Sequence, residues 1–161
     1  MSITPANEYP ALLPLGFHEL TMDQLRKLCV DTFPGSTTRP KIISGLETVI
    51  SRIRSVNLTV EIWINGSFLT QKTNPTDSDI LVTIEEDLYY NITQEQKEVI
   101  DWIKSDLKND CLCDSYLLIK YPESSDKAVY GDFMKAYWMR QFGFGRDNGL
   151  KGIVVLSSGR N

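Results

Sequence analysis

Asp77 and Asp79 stand two residues apart at the head of the apolar run Ile80-Leu81-Val82-Thr83-Ile84. On a β-strand successive side chains point to opposite faces, so both carboxylates project to one side while Ser78 and Ile80 project to the other. Two like charges held side by side are unfavourable unless something positive lies between them. A hard divalent cation such as magnesium, which prefers carboxylate oxygens, is the usual solution. Upstream, the apolar segment Glu61-Ile62-Trp63-Ile64 runs through Asn65 into Gly66-Ser67. A glycine there lets backbone approach a phosphate closely, and the neighbouring hydroxyl and amides can donate to its oxygens. Strand, Gly-Ser turn and acidic strand therefore point to a sheet that carries a metal-nucleotide site at one end.

The rest of the chain supplies elements to build around that sheet. Thr21 and Gln24 form a capping-box pattern before Leu25, Leu28 and Cys29, which predicts a short helix from about Met22 to Asp31. From Pro40, the residues Ile42, Leu46, Val49, Ile50 and Ile53 recur at the spacing of one buried helical face. Leu58 to Ile64 has the β-branched and aromatic content of a strand, and Pro75 marks the turn before the aspartates. A second capping box, Thr93 with Gln96, precedes Val99, Ile100, Ile103 and Leu107, predicting a helix that leads into a strand from Leu112 to Tyr121. After the polar loop Pro122 to Asp126, the residues Val129, Phe133, Tyr137 and Trp138 suit the buried face of a helix, broken by Gly143, Gly145 and Gly149. Gly152 to Leu156 reads as a last strand or a segment pairing with a sheet edge. Asn7 to Pro14 reads as an extended lead-in across the core, and Arg160-Asn161 as a frayed end. The expected fold is α/β (α+β), a small mixed sheet flanked by helices, in a single domain. Residues 1–38 would form the lead-in and short helix, 39–121 the core with the metal-nucleotide motif, and 122–161 the C-terminal helix and strand.

Composition narrows the functional classes. At 161 residues, 42% hydrophobic and 24% charged, the chain suits one soluble domain with a sizeable core. No stretch approaches the roughly 20 apolar residues that span a bilayer. The segment Met1-Ser2-Ile3-Thr4-Pro5 lacks a basic stretch followed by an apolar one, so a cytoplasmic protein without a membrane partner is expected. Three cysteines, Cys29, Cys111 and Cys113, cannot all pair, and with only one histidine, His18, buried structural thiols are expected rather than a zinc site. A net charge of −4 argues against a large polyphosphate-binding surface, so DNA is not the expected partner.

The Asn65-Gly66-Ser67 turn and Asp77-Ser78-Asp79, with serine and first aspartate ten positions apart, resemble the signature of the nucleotidyltransferase superfamily typified by DNA polymerase beta. That signature has a hydrophobic residue where Asn65 stands. A narrower resemblance, to a small and poorly characterised bacterial group with a minimal core of this kind, extends over Leu12 to Glu19, Gly35 to Arg39, Trp63 to Phe68, Phe142 to Phe144 and Lys151 to Val154. The resemblance implies that Asp77, Asp79 and a third carboxylate on the next strand, Asp114, hold two magnesium ions, with manganese as a substitute, and carry the catalysis. It implies that Gly66 and Ser67, with Lys72, bind the phosphates of a nucleoside triphosphate. The implied activity is transfer of a nucleoside monophosphate to a protein or RNA acceptor, in a toxin-antitoxin or phage-defence setting with a cognate toxin or antitoxin as partner.

Two other functions fit the same residues. A non-catalytic nucleotide-binding or antitoxin-like module would keep the fold and act by contact, and a metal-dependent phosphohydrolase would use water in place of the acceptor. Arg39, Arg140 and Arg146 could grip phosphate, yet each also fits a helix end or loop salt bridge. His18 is expected to be a satisfied structural histidine, and the series Tyr130, Phe133, Tyr137, Trp138 and Phe142 is expected to be core rather than a base-stacking surface.

Overall fold

The computed structural model describes residues 9–145 and 149–159. Residues 7 and 8 of the predicted lead-in, the N-terminal residues 1–5, Arg146, and Arg160-Asn161 lie outside these. A five-stranded mixed sheet is flanked by helices. Its strands are β1 (Gly16–Glu19), β2 (Glu61–Asn65), β3 (Ser78–Glu85), β4 (Cys113–Lys120) and β5 (Gly152–Ser157). They lie in the order β1-β5-β2-β3-β4, with β1 parallel to β5, β3 parallel to β4, and β2 antiparallel to both of its neighbours. The helices are α1 (Met22–Arg26), α2 (Arg39–Ser55), α3 (Glu86–Tyr90), α4 (Gln94–Ile103), α5 (Lys108–Cys111) and α6 (Ala128–Gly143).

Alternation along the strands divides the core into two. Ile62, Ile64, Ile80, Val82, Ile84, Val154 and Leu156 face the layer formed by α2 and α4, whose Ile42, Leu46, Val49, Ile53, Val99, Ile100 and Ile103 complete the larger cluster. Trp63, Leu81, Leu118, Ile153 and Val155 face the other way and meet Phe142, with Met134 and Trp138 beside it, on α6. Both capping boxes form: Thr21 accepts from the Gln24 amide at 3.2 Å, and Thr93 from the Gln96 amide at 3.2 Å, with each glutamine accepting in return from its threonine's amide. The helix after Thr21 is α-helical only to Arg26 and continues as a π-helical turn over Lys27–Asp31. Cys29, Cys111 and Cys113 are buried free thiols, and burial pushes Cys29 and Cys113 up to about 12, so they remain protonated. No helix among the described residues is long and apolar enough to cross a membrane.

Several expectations are corrected. The helix that begins at Thr93 stops at Ile103 instead of running through Leu107, because the Asp106 carboxylate accepts from the Lys108 amide at 2.9 Å and starts the separate turn α5. Leu58 and Val60 are buried but precede β2 rather than belonging to it. Gly152 to Leu156 does form the last strand of the chain, β5, but it lies between β1 and β2 rather than at an edge, and the edge beside it is β1, a short exposed strand with no clear alternation to reveal it. The face of α6 is the largest departure. Val129, Tyr130, Phe133 and Tyr137 are exposed, Val129 by 85%, and it is Met134, Trp138 and Phe142 that pack on the sheet. Gly131 brings the start of the helix onto the Tyr121 ring, where an added Cβ would lie 2.9 Å from it, and this turns the aromatic stripe outward.

One contact fixes the acidic end of the sheet. A Cβ on Gly45 of α2 would sit 1.9 Å from the Cys111 carbonyl oxygen, so α2 and α5 touch backbone to backbone. The next residue, Leu112, takes the left-handed conformation at φ 53°, which turns the chain into β4 two residues before Asp114.

Candidate metal-nucleotide site

The three predicted carboxylates come together because of the register of β3 and β4. Ser78 pairs with Cys113 and Asp79 with Asp114 in the parallel ladder. Ser78 and Cys113 are both fully buried, with their side chains 3.4 Å apart, so their neighbours Asp77, Asp79 and Asp114 are directed to the opposite face. Carboxylate oxygens of the three lie within 4.8 Å of one another. That spacing and the all-oxygen donor set suit a hard divalent cation.

The turn after β2 is built against this cluster. Gly66 has φ 91°, and a Cβ there would lie 2.8 Å from Asp79 Oδ2, so the position demands glycine for both its backbone and its space. Asn65, at the place where the superfamily signature has a hydrophobic residue, is buried. Its side-chain amide donates to the Phe142 carbonyl and accepts from the Gly66 amide at 2.9 Å. It thereby ties the turn to the end of α6, which a hydrophobic residue could not do. Ser67 opens a single 3₁₀ turn, Ser67–Leu69, closed by the Thr70 amide donating to the Ser67 carbonyl at 3.2 Å.

Arg39, weighed above as a phosphate ligand, holds that turn from behind. It is fully buried, and its five N–H groups go to the carbonyls of Cys29, Phe68, Thr70 and, twice, Lys72, at 2.6–3.1 Å. No donor is left for a substrate, and the Phe33 ring stacks on the guanidinium at 3.7 Å. His18 is structural, with Nε2 2.8 Å from the Pro14 carbonyl oxygen.

Gly66, Ser67, Lys72, Asp77, Asp79 and Asp114 all line one cavity of about 670 Å³, within the range of small-molecule sites. Lys108, Arg140 and Lys151 line it too, so basic groups surround an acidic centre. Burial, then the charges of Asp114 and Asp77, push the Asp79 carboxyl up to about 6, against the opposing pull of Lys151 and Lys108.

Lys108 is the residue that sequence reasoning missed. Its ammonium lies 3.1 Å from Asp77 Oδ2 and 3.5 Å from Asp114 Oδ2, and the hydrogen bond to Asp77 and the charges of both aspartates raise its pKa. An ammonium so held competes with a metal ion for the same oxygens. Lys108→Met is expected to tighten Mn²⁺ binding about two- to fivefold, as measured by titration calorimetry, the modest effect reflecting an exposed and screened pair. Unchanged or weaker binding would mean that the lysine does not compete with the ion.

The chain belongs to DUF6932, described as a family of unknown function, whose match covers residues 4–157. No curated protein and no solved structure matches it.

Proposed function

We propose that this DUF6932 protein is a divalent-metal-dependent nucleotidyltransferase that moves a nucleoside monophosphate from a nucleoside triphosphate to a protein or RNA acceptor. The observation that carries the proposal is the convergence of Asp77, Asp79 and Asp114 within 4.8 Å, against a glycine turn with no room for a side chain. The three carboxylates would hold magnesium or manganese. Bound there, the cation would favour ionisation of the acceptor hydroxyl and neutralise charge on the triphosphate and leaving pyrophosphate. The Ser67 amide and hydroxyl, with Lys72, would bind the β and γ phosphates, while Gly66, whose own amide is held by Asn65 Oδ1, would let them approach the backbone closely. In the reaction a bond forms between the acceptor oxygen and the α-phosphorus, and the bond from that phosphorus to the bridging oxygen breaks. Pyrophosphate leaves with that electron pair, and Asp114, which lines the same cavity, would take the hydroxyl proton. A toxin-antitoxin or phage-defence setting, implied by the resemblance to small nucleotidyltransferases, is part of the same proposal.

A contact module, nucleotide-binding or antitoxin-like, is the second reading, favoured by one specific observation: Lys108 already bridges Asp77 and Asp114 and supplies a counter-charge without a metal. The assay that separates the two uses each α-labelled nucleoside triphosphate with magnesium or manganese in host lysate, beside an Asp77→Ala/Asp79→Ala control. Transfer predicts label on protein or RNA with the unaltered chain, reduced at least about a thousandfold in the control. Free nucleoside monophosphate without labelled acceptor would indicate hydrolysis. Absence of any turnover, with equal partner capture by both chains, would leave the contact module.

A further inference from the structure

A second, smaller cavity of about 200 Å³ is also lined by Asp79. It shares Gly66, Asp79, Gln141 and Lys151 with the larger one, so the two form adjoining parts of a single site. Their linings differ in kind. The larger part has Lys72, Lys108 and Arg140 around the carboxylates, whereas the smaller is walled by the rings of Tyr116, Tyr137 and Trp138. Tyr116 is 42% and Tyr137 45% exposed, so ring surface remains open to a ligand. The rings brace one another: Trp138 is 4.8 Å from Tyr116 and 5.1 Å from Tyr137, centroid to centroid. Gln141, one helical turn beyond Tyr137, carries an amide with no partner among the described residues, and the Trp138 indole N–H, shielded from solvent, has no acceptor among them. An amide that can both donate and accept, beside open aromatic faces, is chemistry suited to a flat heterocycle with polar edges.

We propose that this aromatic alcove is the nucleobase subsite, in which the base stacks on Tyr116 and Tyr137 and presents its edge to Gln141. The assignment rests on the nucleotidyltransferase reading of the adjoining carboxylates. Its volume is below that of a cavity for a whole drug-sized ligand, so it takes the base while the phosphates lie in the larger, basic part. Aromatic faces accept any base, so discrimination between bases falls to Gln141.

Calorimetry with two probes in the presence of magnesium tests this: a nucleoside triphosphate, and inorganic tripolyphosphate, which lacks the base. The unaltered protein should bind the nucleotide more tightly than tripolyphosphate. Tyr137→Ala and, separately, Tyr116→Ala should weaken nucleotide binding about five- to a hundredfold, leaving tripolyphosphate binding unchanged. Using both variants guards against a local folding defect in either. Equal affinity for the two probes, or losses that affect both alike, would overturn the alcove while leaving the phosphate and metal assignment intact. Failure of the unaltered protein to bind either probe would overturn that assignment and the alcove with it.

Discussion

Arg39→Ala is expected to leave the chain largely unfolded at neutral pH. The guanidinium is fully enclosed and satisfies the carbonyls of Cys29, Phe68, Thr70 and Lys72, the bonds to the first three being buried. Each carbonyl stripped of its donor costs about 1–3 kcal/mol, and the whole stability of a domain this size is about 5–15 kcal/mol. Arg39→Lys should recover little, because an ammonium has three donors on one point and cannot span carbonyls arranged around a planar fork. Urea unfolding followed by far-ultraviolet circular dichroism measures both variants. A folded Arg39→Ala protein that had lost only ligand affinity would instead return Arg39 to the role of phosphate ligand.

Asp79→Asn should separate stability from function in opposite directions. Its carboxyl is raised from an ordinary 3.8 to about 6, so the folded protein holds a proton that the unfolded chain has released. Below about pH 4 the group is protonated in both states and costs nothing. As pH rises from about 4 to about 6 the folded state loses stability, and above about 6 the full cost, about 3 kcal/mol, is present. The asparagine variant escapes that cost. It should therefore melt higher than the unaltered protein at pH 8 and at about the same temperature at pH 4. Manganese should reverse the order at pH 8, stabilising the unaltered chain by mass action and the variant hardly at all. A variant no more stable than its parent at pH 8 would show that Asp79 is not held under electrostatic stress.

This opposition between a strained, charged cluster and a stable fold explains what was legible in the sequence. Asp77 and Asp79 could be read directly, since strand alternation dictates that two residues apart means one face. The two threonine capping boxes and the α2 face were equally local, each decided by residues within a few turns. Asp114 needed the order of the strands, because its pairing with Asp79 depends on β4 lying parallel beside β3. Lys108 was hidden by the predicted continuous helix through Leu107. Only the break at Asp106 brings it back onto the carboxylates. Arg39 looked like a surface cation because sequence gives no hint that four carbonyls from two distant segments, at Cys29 and over Phe68 to Lys72, will surround it. The α6 stripe shows the same limit: periodicity identifies a face, but whether anything covers that face is set by Gly131 against Tyr121 and by where the sheet ends. β5, with its β-branched run, was recognisable as a strand, but its central position depends on pairing with β1 from the opposite end of the chain.

The most direct measurement of the central claim is a Mn²⁺ titration of the purified protein by electron paramagnetic resonance, with and without a nucleoside triphosphate. Convergence of Asp77, Asp79 and Asp114 on one cation site predicts saturable loss of the free-ion signal that tightens when nucleotide is added, beyond the loss that the nucleotide causes without protein. A free-ion signal that rises in proportion to added manganese, unaffected by the protein under either condition, would contradict it.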